Sequence, residues 1–348
     1  MSTDPAPRTE RMFYREAICR AVREKMGQNE RVIVLGQDVG AFGGSYREFD
    51  GLYDAFGAAR VRDTPVAESV MVGLGVGAAA AGFRPLVSIT YMDFLLLGLD
   101  PLVNYGAKLR YKTAGQLKAP IIIKTTAGAK GQGVAHSQCI EAWLMGIPGL
   151  KVVAPSTPAD AYGLMIASFE EEGPVVFVDH KRLFPIPGEV PLDGGRVPIG
   201  VSVVRRQGCD VTITTHSYMT RVALEAAVTL AKEDIACEVI DLRTLAPLDI
   251  ETVIHSVRRT GALVTLEEGQ VTCGVGAEIA AQVQTRLSGV ALARVGALPA
   301  PVSSNPVLEA ACIPNSVSVA AAVRSLLQNR SPEPGLHPMG HSQFRGHP

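Results

Sequence analysis

The sequence has no excess of charge of either sign, because 34 Asp and Glu residues balance 33 Lys and Arg residues. The net charge of −1 gives no electrostatic reason to expect nucleic acid or an anionic membrane surface as a partner. The longest uncharged run, 69–83, is too short to span a bilayer, and residues 1–10 lack the apolar core of a secretory signal. We therefore expect a soluble, cytoplasmic protein of the bacterial type, with neither nucleic acid nor membrane as a partner.

Closely spaced cysteine pairs, which are typical of zinc and redox sites, are also lacking. The six cysteines are Cys19, Cys139, Cys209, Cys237, Cys273 and Cys312. Several of them lie inside apolar stretches of the chain. We interpret them as reduced, mostly buried thiols of a cytosolic-type compartment rather than as disulfides.

The sequence lacks the loops that commonly hold phosphate groups. It has no Walker-type loop, and no Gly-Asp-Gly segment followed by a downstream Asn. The glycine run at 73–77 lacks the spacing of the dinucleotide-binding fingerprint, and it does not follow a strand in a tight turn. The chain therefore has no recognisable loop of its own for a diphosphate.

Short runs of β-branched residues alternate with helical patterns along the chain. The apolar runs predict buried strands at 31–35, 86–89, 121–123, 152–153, 175–178, 211–215, 237–241 and 263–266. Helices are predicted at 12–26, 69–81, 99–111 and 158–171, then from Arg221, Asp249 and Gly276, and over 317–327. This alternation predicts an α/β fold, with mostly parallel sheets covered by helices on both faces.

A change in composition divides the chain into two domains. Residues 185–206 contain four prolines among several glycines, which predicts an ordered but non-repetitive linker. We therefore predict a first domain over 1–184 and a second domain over 207–330. The remaining residues, 331–348, are rich in Pro, Gly and His, and we expect a loose tail with solvated histidines.

Glu68 is the first candidate for a functional side chain. It directly precedes a run made almost entirely of Gly and Ala, whose small residues allow a helix to approach other backbone closely. A carboxyl group that opens so apolar an element is poorly solvated unless it finds a partner. The alternative is an exposed acidic residue that interacts favourably with the helix dipole. The residues alone leave both interpretations open.

His136 and Phe94 are candidates because each follows a predicted strand. His136 lies in a glycine-bearing loop after the strand at 121–123, and Phe94 follows the strand that ends at Ile89. Loops at the carboxyl ends of strands are where open α/β sheets bind ligands. The alternatives are a surface position for His136 and core packing for Phe94. No role is assigned to the other histidines of the two domains, His180, His216 and His255.

Several segments, taken in their order along the chain, resemble one known family. They are VLGQDV at 34–39, DTPVAE at 63–68, GFRP at 82–85, DPLVN at 100–104, HSQ at 136–138, PGLKVVAP at 148–155, VIDLRTLAPLD at 239–249 and GVGAEI at 274–279. The match runs from about Tyr14 to Leu327, nearly the whole chain. The chain resembles the β subunits of the thiamine-diphosphate-dependent decarboxylating component of the pyruvate, branched-chain 2-oxo acid and acetoin dehydrogenase complexes.

The resemblance implies two three-layer α/β/α domains, a transketolase-like pyrimidine-binding domain followed by a transketolase C-terminal domain. It also implies an α2β2 heterotetramer that uses thiamine diphosphate and passes an acyl group to a lipoyl group. The α subunit would hold the diphosphate and Mg²⁺, so that no metal site is expected on this chain. K⁺ is a further expected ion, and a dihydrolipoyl acyltransferase is a further expected partner.

The resemblance also assigns site residues by position. Glu68 matches the glutamate that activates the cofactor by hydrogen bonding to the pyrimidine ring. Phe94 matches the aromatic ring that packs on the pyrimidine. His136 matches the active-site loop histidine that handles protons or contacts the lipoyl group. Thr90 and Gln37 are expected to contribute to cofactor binding.

Two segments depart from the family pattern. Gln37 stands where many relatives have Glu, which removes a negative charge near the expected cofactor site. The stretch 134–136 is one residue shorter than in the pyruvate enzymes. These differences favour an acetoin-type or a divergent pyruvate-type enzyme. A non-oxidative carboligase or lyase on the same scaffold and a non-catalytic assembly subunit are the alternative functions.

Overall fold

The computed structural model describes residues 8–191 and 195–329, and within them the predicted alternation of strands and helices is confirmed. Every predicted strand overlaps an observed one, and two predictions, 211–215 and 237–241, match the observed bounds. The predicted loose tail at 331–348 and its histidines lie outside the described residues.

The first sheet has seven strands, six of which run parallel. They are β2 (Val32–Gly36), β3 (Val61–Asp63), β4 (Arg84–Ile89), β5 (Ile122–Ala127), β6 (Lys151–Val153), β7 (Val175–His180) and the antiparallel β12 (Thr244–Ala246). Their order across the sheet is β12-β6-β7-β5-β4-β2-β3. The central strands β5 and β7 are buried along their whole length, as a parallel sheet covered on both faces requires.

The second sheet has five strands in the order β14-β13-β10-β11-β9. They are β9 (Val203–Arg206), β10 (Val211–Thr215), β11 (Cys237–Asp241), β13 (Ala262–Gln270) and β14 (Ala291–Ala297), and only the edge strand β9 is antiparallel to its neighbour. A separate antiparallel ribbon pairs β1 (Thr9–Phe13) with β8 (Pro187–Pro191).

Helices cover both faces of each sheet, so the predicted pair of three-layer domains is confirmed. The first half of the chain contains α1 (Tyr14–Gln28), α2 (Leu52–Phe56), α3 (Glu68–Ala80), α4 (Met92–Leu95), α5 (Leu109–Lys112), α6 (Glu141–Met145) and α7 (Pro158–Glu170). The second half contains α8 (Met219–Leu230), α9 (Ile250–Thr260), α10 (Val275–Arg286), α11 (Pro306–Cys312) and α12 (Ser316–Gln328). Helices α1 and α7 pack on one face of the first sheet and α3 on the other, while α8 and α12 lie opposite α9 and α10 on the second sheet.

The two domains share a hydrophobic core, and a strand from the second half of the chain extends the sheet of the first domain. One cluster of buried side chains joins Val72 and Ile123 of the first domain to Ile240 and Ile279 of the second. Strand β12 lies between β11 and α9 in the sequence, yet it extends the first sheet beside β6. The interface between the domains is therefore continuous with both of their interiors.

The helix predicted over 99–111 is not continuous. The chain forms a 3₁₀ turn at Leu96–Gly98, a π-helical segment at Pro101–Gly106 and the short α5. Pro101 has no backbone N–H to donate to the preceding turn, which breaks the regular hydrogen-bond pattern at that point.

The linker predicted at 185–206 contains regular structure, which corrects the non-repetitive interpretation. Strand β8 pairs with β1, and β9 forms the edge of the second sheet beside β11. Prolines at both ends of β8 are tolerated because the ribbon has only two strands and so leaves one edge free of partners. The proline- and glycine-rich composition of 185–206 did not predict either strand.

The cysteine prediction is only partly right. All six thiols are free, but only Cys237 and Cys312 are buried, whereas Cys209 and Cys273 are exposed.

One stretch, Pro306–Gln328, is apolar and long enough to cross a membrane by length and composition alone. In the structure it consists of α11 and α12, which are separated by a break at 313–315, and Asn315 caps α12. The longer of the two, α12, has 13 residues, whereas a membrane-spanning helix needs roughly 20.

Candidate active site

The carboxyl ends of five neighbouring parallel strands form the candidate site. Strands β3, β2, β4, β5 and β7 lie side by side, so the segments that follow them meet at one edge of the first sheet. Each sequence-predicted site residue lies in one of these segments. Such an edge is where open α/β sheets bind ligands.

Glu68 follows β3 and begins α3. The residue is only 7% exposed, and among the described residues none forms a hydrogen bond or an ion pair with its carboxylate. The helix behind it packs tightly, because a Cβ atom at Gly75 would lie 2.6 Å from the side chains of Val87 and Ile121. Of the two interpretations left open by the residues, the structure favours a largely buried residue whose carboxylate has no hydrogen-bond partner among the described residues.

Phe94 and His136 meet at this edge although 42 residues separate them in the sequence. Their ring centroids are 5.3 Å apart with an interplanar angle of 80°, an edge-to-face contact. Phe94 lies in α4 after β4, and His136 lies in the loop after β5; both are half-buried. Helix α3 packs against the turn Leu96–Gly98 directly after Phe94, which places Glu68 beside the same segment.

Gln37 and Thr90 occupy adjacent strand ends. The register of β2 and β4 pairs Gly36 with Ser88, so Gln37 and Thr90, both half-buried, follow this last pair by one and two residues. Within the described part of the chain, the one hydrogen bond of the Gln37 side chain runs from its amide nitrogen to the Asp38 carboxylate, at 3.5 Å. Both residues therefore lie at the candidate site, with side chains partly open to a ligand.

Tyr91 is a site residue that the sequence analysis missed. Its ring centroid lies 5.0 Å from that of His136, in edge-to-face contact. Its hydroxyl accepts a hydrogen bond from the Gln132 amide at 2.9 Å and lies 3.3 Å from the Tyr46 hydroxyl. Burial, together with the hydrogen bond to Tyr91, raises the pKa of Tyr46 well above its usual value. The Tyr91 ring, whose hydroxyl is held by Tyr46 and Gln132, therefore packs against the His136 imidazole.

A buried ion cluster joins strands β5 and β7 to the loop that carries Tyr46. Lys124 of β5 contacts Glu48 at 2.6 Å and Asp179 of β7 at 3.0 Å, and all three side chains are fully buried. Burial raises the pKa of Asp179 to about 6, and the Lys124 ammonium opposes that rise. Because Glu48 also accepts a hydrogen bond from the Tyr46 backbone N–H, the cluster fixes the loop that carries Tyr46.

His180, to which we had assigned no role, connects the two domains. Its Nδ1 accepts a hydrogen bond from the Arg182 backbone, so Nε2 carries the proton and donates to Glu268 of β13 at 2.9 Å. The other oxygen of Glu268 accepts from the Ala129 N–H at 2.7 Å. Gly128 has a positive φ of 86°, and a Cβ atom there would lie 1.8 Å from Nε2 of His180. This position therefore requires glycine.

A cavity of about 450 Å³ lies behind the His136 loop, between the two domains. Its walls are formed by 137–143, 267–270, 272–274 and 299–302. Glu141 lines it at 4% exposure, and burial raises the pKa of this carboxyl to about 8. The cavity is therefore lined by a carboxyl group that stays largely protonated at neutral pH.

The residues at the sheet edge fit the pyrimidine half of thiamine diphosphate better than its diphosphate half. A buried carboxylate without a protein partner and a half-buried aromatic ring suit a flat heterocycle with ring nitrogens. Among residues 8–191 and 195–329, no group of three or more His, Cys, Asp or Glu side chains is placed to hold a metal ion.

Comparisons with protein families cover both domains. The family model of the transketolase pyrimidine-binding domain matches residues 10–187. The family model of the transketolase C-terminal domain matches residues 200–319. A solved structure described as a split gene transketolase, inactive beta4 tetramer, is similar with a TM-score of 0.77 and 27% identity, and the match covers 91% of this chain and 99% of that chain.

Curated relatives match most of the chain. The acetoin:2,6-dichlorophenolindophenol oxidoreductase subunit beta of Cupriavidus necator is 40% identical, over 90% of this chain and 96% of that protein. The pyruvate dehydrogenase E1 component subunit beta of Rhizobium meliloti is 41% identical, over 90% and 70% of the two chains. The 2-oxoisovalerate dehydrogenase subunit beta of Bacillus subtilis is also 41% identical, over 78% and 83%. The predicted resemblance is confirmed: the chain belongs to the transketolase-like family of E1 β subunits of the pyruvate, 2-oxoisovalerate and acetoin dehydrogenases.

Proposed function

We propose that this chain is the β subunit of a thiamine-diphosphate-dependent dehydrogenase that decarboxylates a 2-oxo acid or cleaves acetoin and passes the acyl group to a lipoyl group. The observation that carries the proposal is the largely buried Glu68, whose carboxylate has no partner among the described residues, at the sheet edge where Phe94 and His136 meet. The relatives' names favour this function over a carboligase or an assembly subunit, since those named above are dehydrogenase or oxidoreductase subunits.

Each proposed site residue would have a distinct task. Glu68 would hydrogen-bond to a pyrimidine ring nitrogen and share a proton with it, since the residue is only 7% exposed and its carboxylate accepts no hydrogen bond from the described residues. Phe94 would hold the flat ring by stacking. His136 would move protons at the substrate oxygen or meet the incoming lipoyl group, and Gln37 and Thr90 would contact the cofactor from the neighbouring strand ends. When bound, thiamine diphosphate supplies the electron sink for cleavage beside the substrate carbonyl.

An α subunit would complete the site. The chain lacks a recognisable diphosphate loop, and the described residues offer no acidic cluster for Mg²⁺, so we assign both tasks to that partner. Val70, Leu74 and Gly77 follow one another along one face of α3. Val70 and Leu74 are 68% and 55% exposed, and a Cβ atom at Gly77 would meet nothing within 4 Å. We propose that this face packs against the α subunit in an α2β2 heterotetramer.

The remaining expectations follow from the same proposal. A dihydrolipoyl acyltransferase would receive the acyl group, K⁺ would be an additional structural ion, and the complex would be cytoplasmic. The solved relative described as an inactive beta4 tetramer supports the view that a β chain alone is not an active enzyme.

The test uses the complex that copurifies with the tagged chain from its own organism. We expect acyl-lipoyl formation from pyruvate, a branched-chain 2-oxo acid or acetoin when a lipoylated domain is supplied. Glu68→Gln should assemble normally and lower kcat by about 10²–10⁴-fold, the usual contribution of a positioned acid–base group. The isolated chain should bind thiamine diphosphate with Mg²⁺ at least an order of magnitude more weakly than the complex, as measured by calorimetry.

Glu251→Gln is the matched control, because Glu251 also lies in the first turn of a helix but is 79% exposed and paired only with Arg286. Its kcat should equal that of the wild type. Full activity of Glu68→Gln would contradict the assignment of Glu68. Carbon–carbon ligation without any dependence on lipoyl groups would support the carboligase instead, and tight cofactor binding by the isolated chain would contradict the shared site.

A further inference from the structure

Lys181 is a buried cation beneath the loop that carries His136. It directly follows β7, and its side chain is fully buried. Its Nζ donates hydrogen bonds to the carbonyl oxygens of Gly128, at 2.8 Å, and His136. The same ammonium lies 4.4 Å from the centroid of the Tyr91 ring, within the range of a cation–π contact.

The charge on Lys181 has no anionic partner. Among the described residues, no carboxylate lies within 4.0 Å of its Nζ, whereas the equally buried Lys124 contacts both Glu48 and Asp179. Burial lowers the pKa of Lys181, although the more distant Asp93 opposes the shift. A buried charge that is met only by carbonyl oxygens and a ring is costly. An apolar residue of similar length would avoid this cost, so stability alone does not account for a lysine here.

The contacts of Lys181 connect the parts of the site that surround the imidazole. The loop 128–136 contains Gly128, Gly131 and Gly133, all with positive φ, and such a backbone is intrinsically free to change conformation. Lys181 ties the first residue of this loop to its last. It also touches the ring of Tyr91, which packs edge-on against His136.

We propose that Lys181 is a positioning residue that holds His136 in its working place by joining the two ends of its loop and the Tyr91 ring. The inference rests on the proposed function, because it assumes that His136 acts in the reaction. It assigns Lys181 no contact with substrate or cofactor.

The test compares Lys181→Met with wild type in the complex that copurifies with the chain. Methionine keeps the apolar stem but donates no hydrogen bond. We expect kcat to fall by about 10–100-fold, the loss associated with a misplacement of about 1 Å, while KM and cofactor affinity change by less than about threefold. We also expect trypsin to cleave after Lys130, in the freed loop, several-fold faster than in wild type.

Two controls separate positioning from general destabilisation. Lys130→Met removes an exposed ammonium from the same loop, and its kcat should match that of wild type. Cleavage at other sites of Lys181→Met should keep the wild-type rate, since global unfolding would raise cleavage throughout the chain. If the methionine variant does not assemble, Lys181→Gln provides the same comparison with a polar, neutral side chain.

Wild-type kcat together with wild-type cleavage after Lys130 in either Lys181 variant would overturn the inference. A rise in KM or loss of cofactor affinity with an unchanged kcat would also overturn it, because Lys181 would then act in binding. A wild-type complex that turns over none of the substrates refutes the proposed function instead, and the cleavage rate still decides whether Lys181 holds the loop.

Discussion

The substitution Glu141→Gln replaces a buried carboxyl group with an amide. It is expected to stabilise the folded protein at neutral and alkaline pH but not at acidic pH. Glu141 opens α6 and lines the cavity between the domains at 4% exposure. Burial raises the pKa of this carboxyl from 4.5 to about 8, and the nearby Glu268 and Glu267 add to the rise, while its own backbone N–H opposes it.

The size and sign of the effect follow from proton binding. Below the unfolded pKa of about 4.5, Glu141 is protonated in both states and does not affect the pH dependence of stability. As the pH rises toward about 8, the unfolded chain releases its proton and the folded chain keeps it, so the free energy of unfolding falls. Each pKa unit corresponds to about 1.4 kcal/mol, so the loss has an upper bound of about 5 kcal/mol at alkaline pH.

Denaturant unfolding of wild type and Glu141→Gln at about pH 5 and about pH 9 measures this difference. The glutamine variant should be nearly as stable as wild type at the lower pH and more stable by up to a few kcal/mol at the higher pH. Glu225→Gln on the exposed face of α8 is the control, and it should show no comparable pH dependence. A stability difference that is the same at both pH values, or a variant that is weaker at alkaline pH, would refute the reasoning.

Two other substitutions test the interior and the surface. Lys124→Met should destabilise the chain by about 3–5 kcal/mol, because it leaves the carboxylates of Glu48 and Asp179 buried without a cation. Since burial raises the pKa of Asp179 to about 6, the loss should shrink in acid as Asp179 takes up a proton, and chemical denaturation at two pH values measures it. Gly77→Leu should leave the isolated chain at least as stable as wild type, since leucine favours helix and meets no atom of the chain there. In sedimentation measurements, Gly77→Leu should weaken association with the α subunit. The control, Gly27→Leu on α1, should not weaken it. Unchanged association of Gly77→Leu would argue against the α3 face as the interface.

The strands and their carboxyl ends could be predicted because a buried parallel strand is a short apolar run in the sequence. Once the predicted strands are taken as mostly parallel, the segments after β4 and β5 must meet at one edge, whereas the short strand β3 before Glu68 was not predicted. Phe94 and His136 were found in this way, whereas Glu68 was found from the Gly- and Ala-rich run that follows it. The same rule, applied to the end of β7, would have singled out His180 and Lys181.

The rest of the site depends on contacts that no local pattern reports. Lys124 looks like an interruption of an apolar strand, and its partner Glu48 is 76 residues away. His180 and Glu268 are 88 residues apart and meet only because the domains pack together. Tyr91 could not be identified from its neighbours in the sequence, because its hydroxyl is hydrogen-bonded to Gln132, which lies on a distant, glycine-containing loop. Such pairings arise from tertiary packing, so only the folded chain reveals them.

The strand β12 has a consequence for any attempt to divide this protein. A fragment that ends near residue 200, between the two matched family segments, would lose the three residues that pair with β6. The backbone groups of β6 on that side would then face water as an open edge, which invites pairing with another molecule. The apolar side chains that now contact Ile240 and Ile279 would be uncovered as well. The two halves thus match separate family models but depend on each other for their packing, and they should be expressed and engineered as one unit.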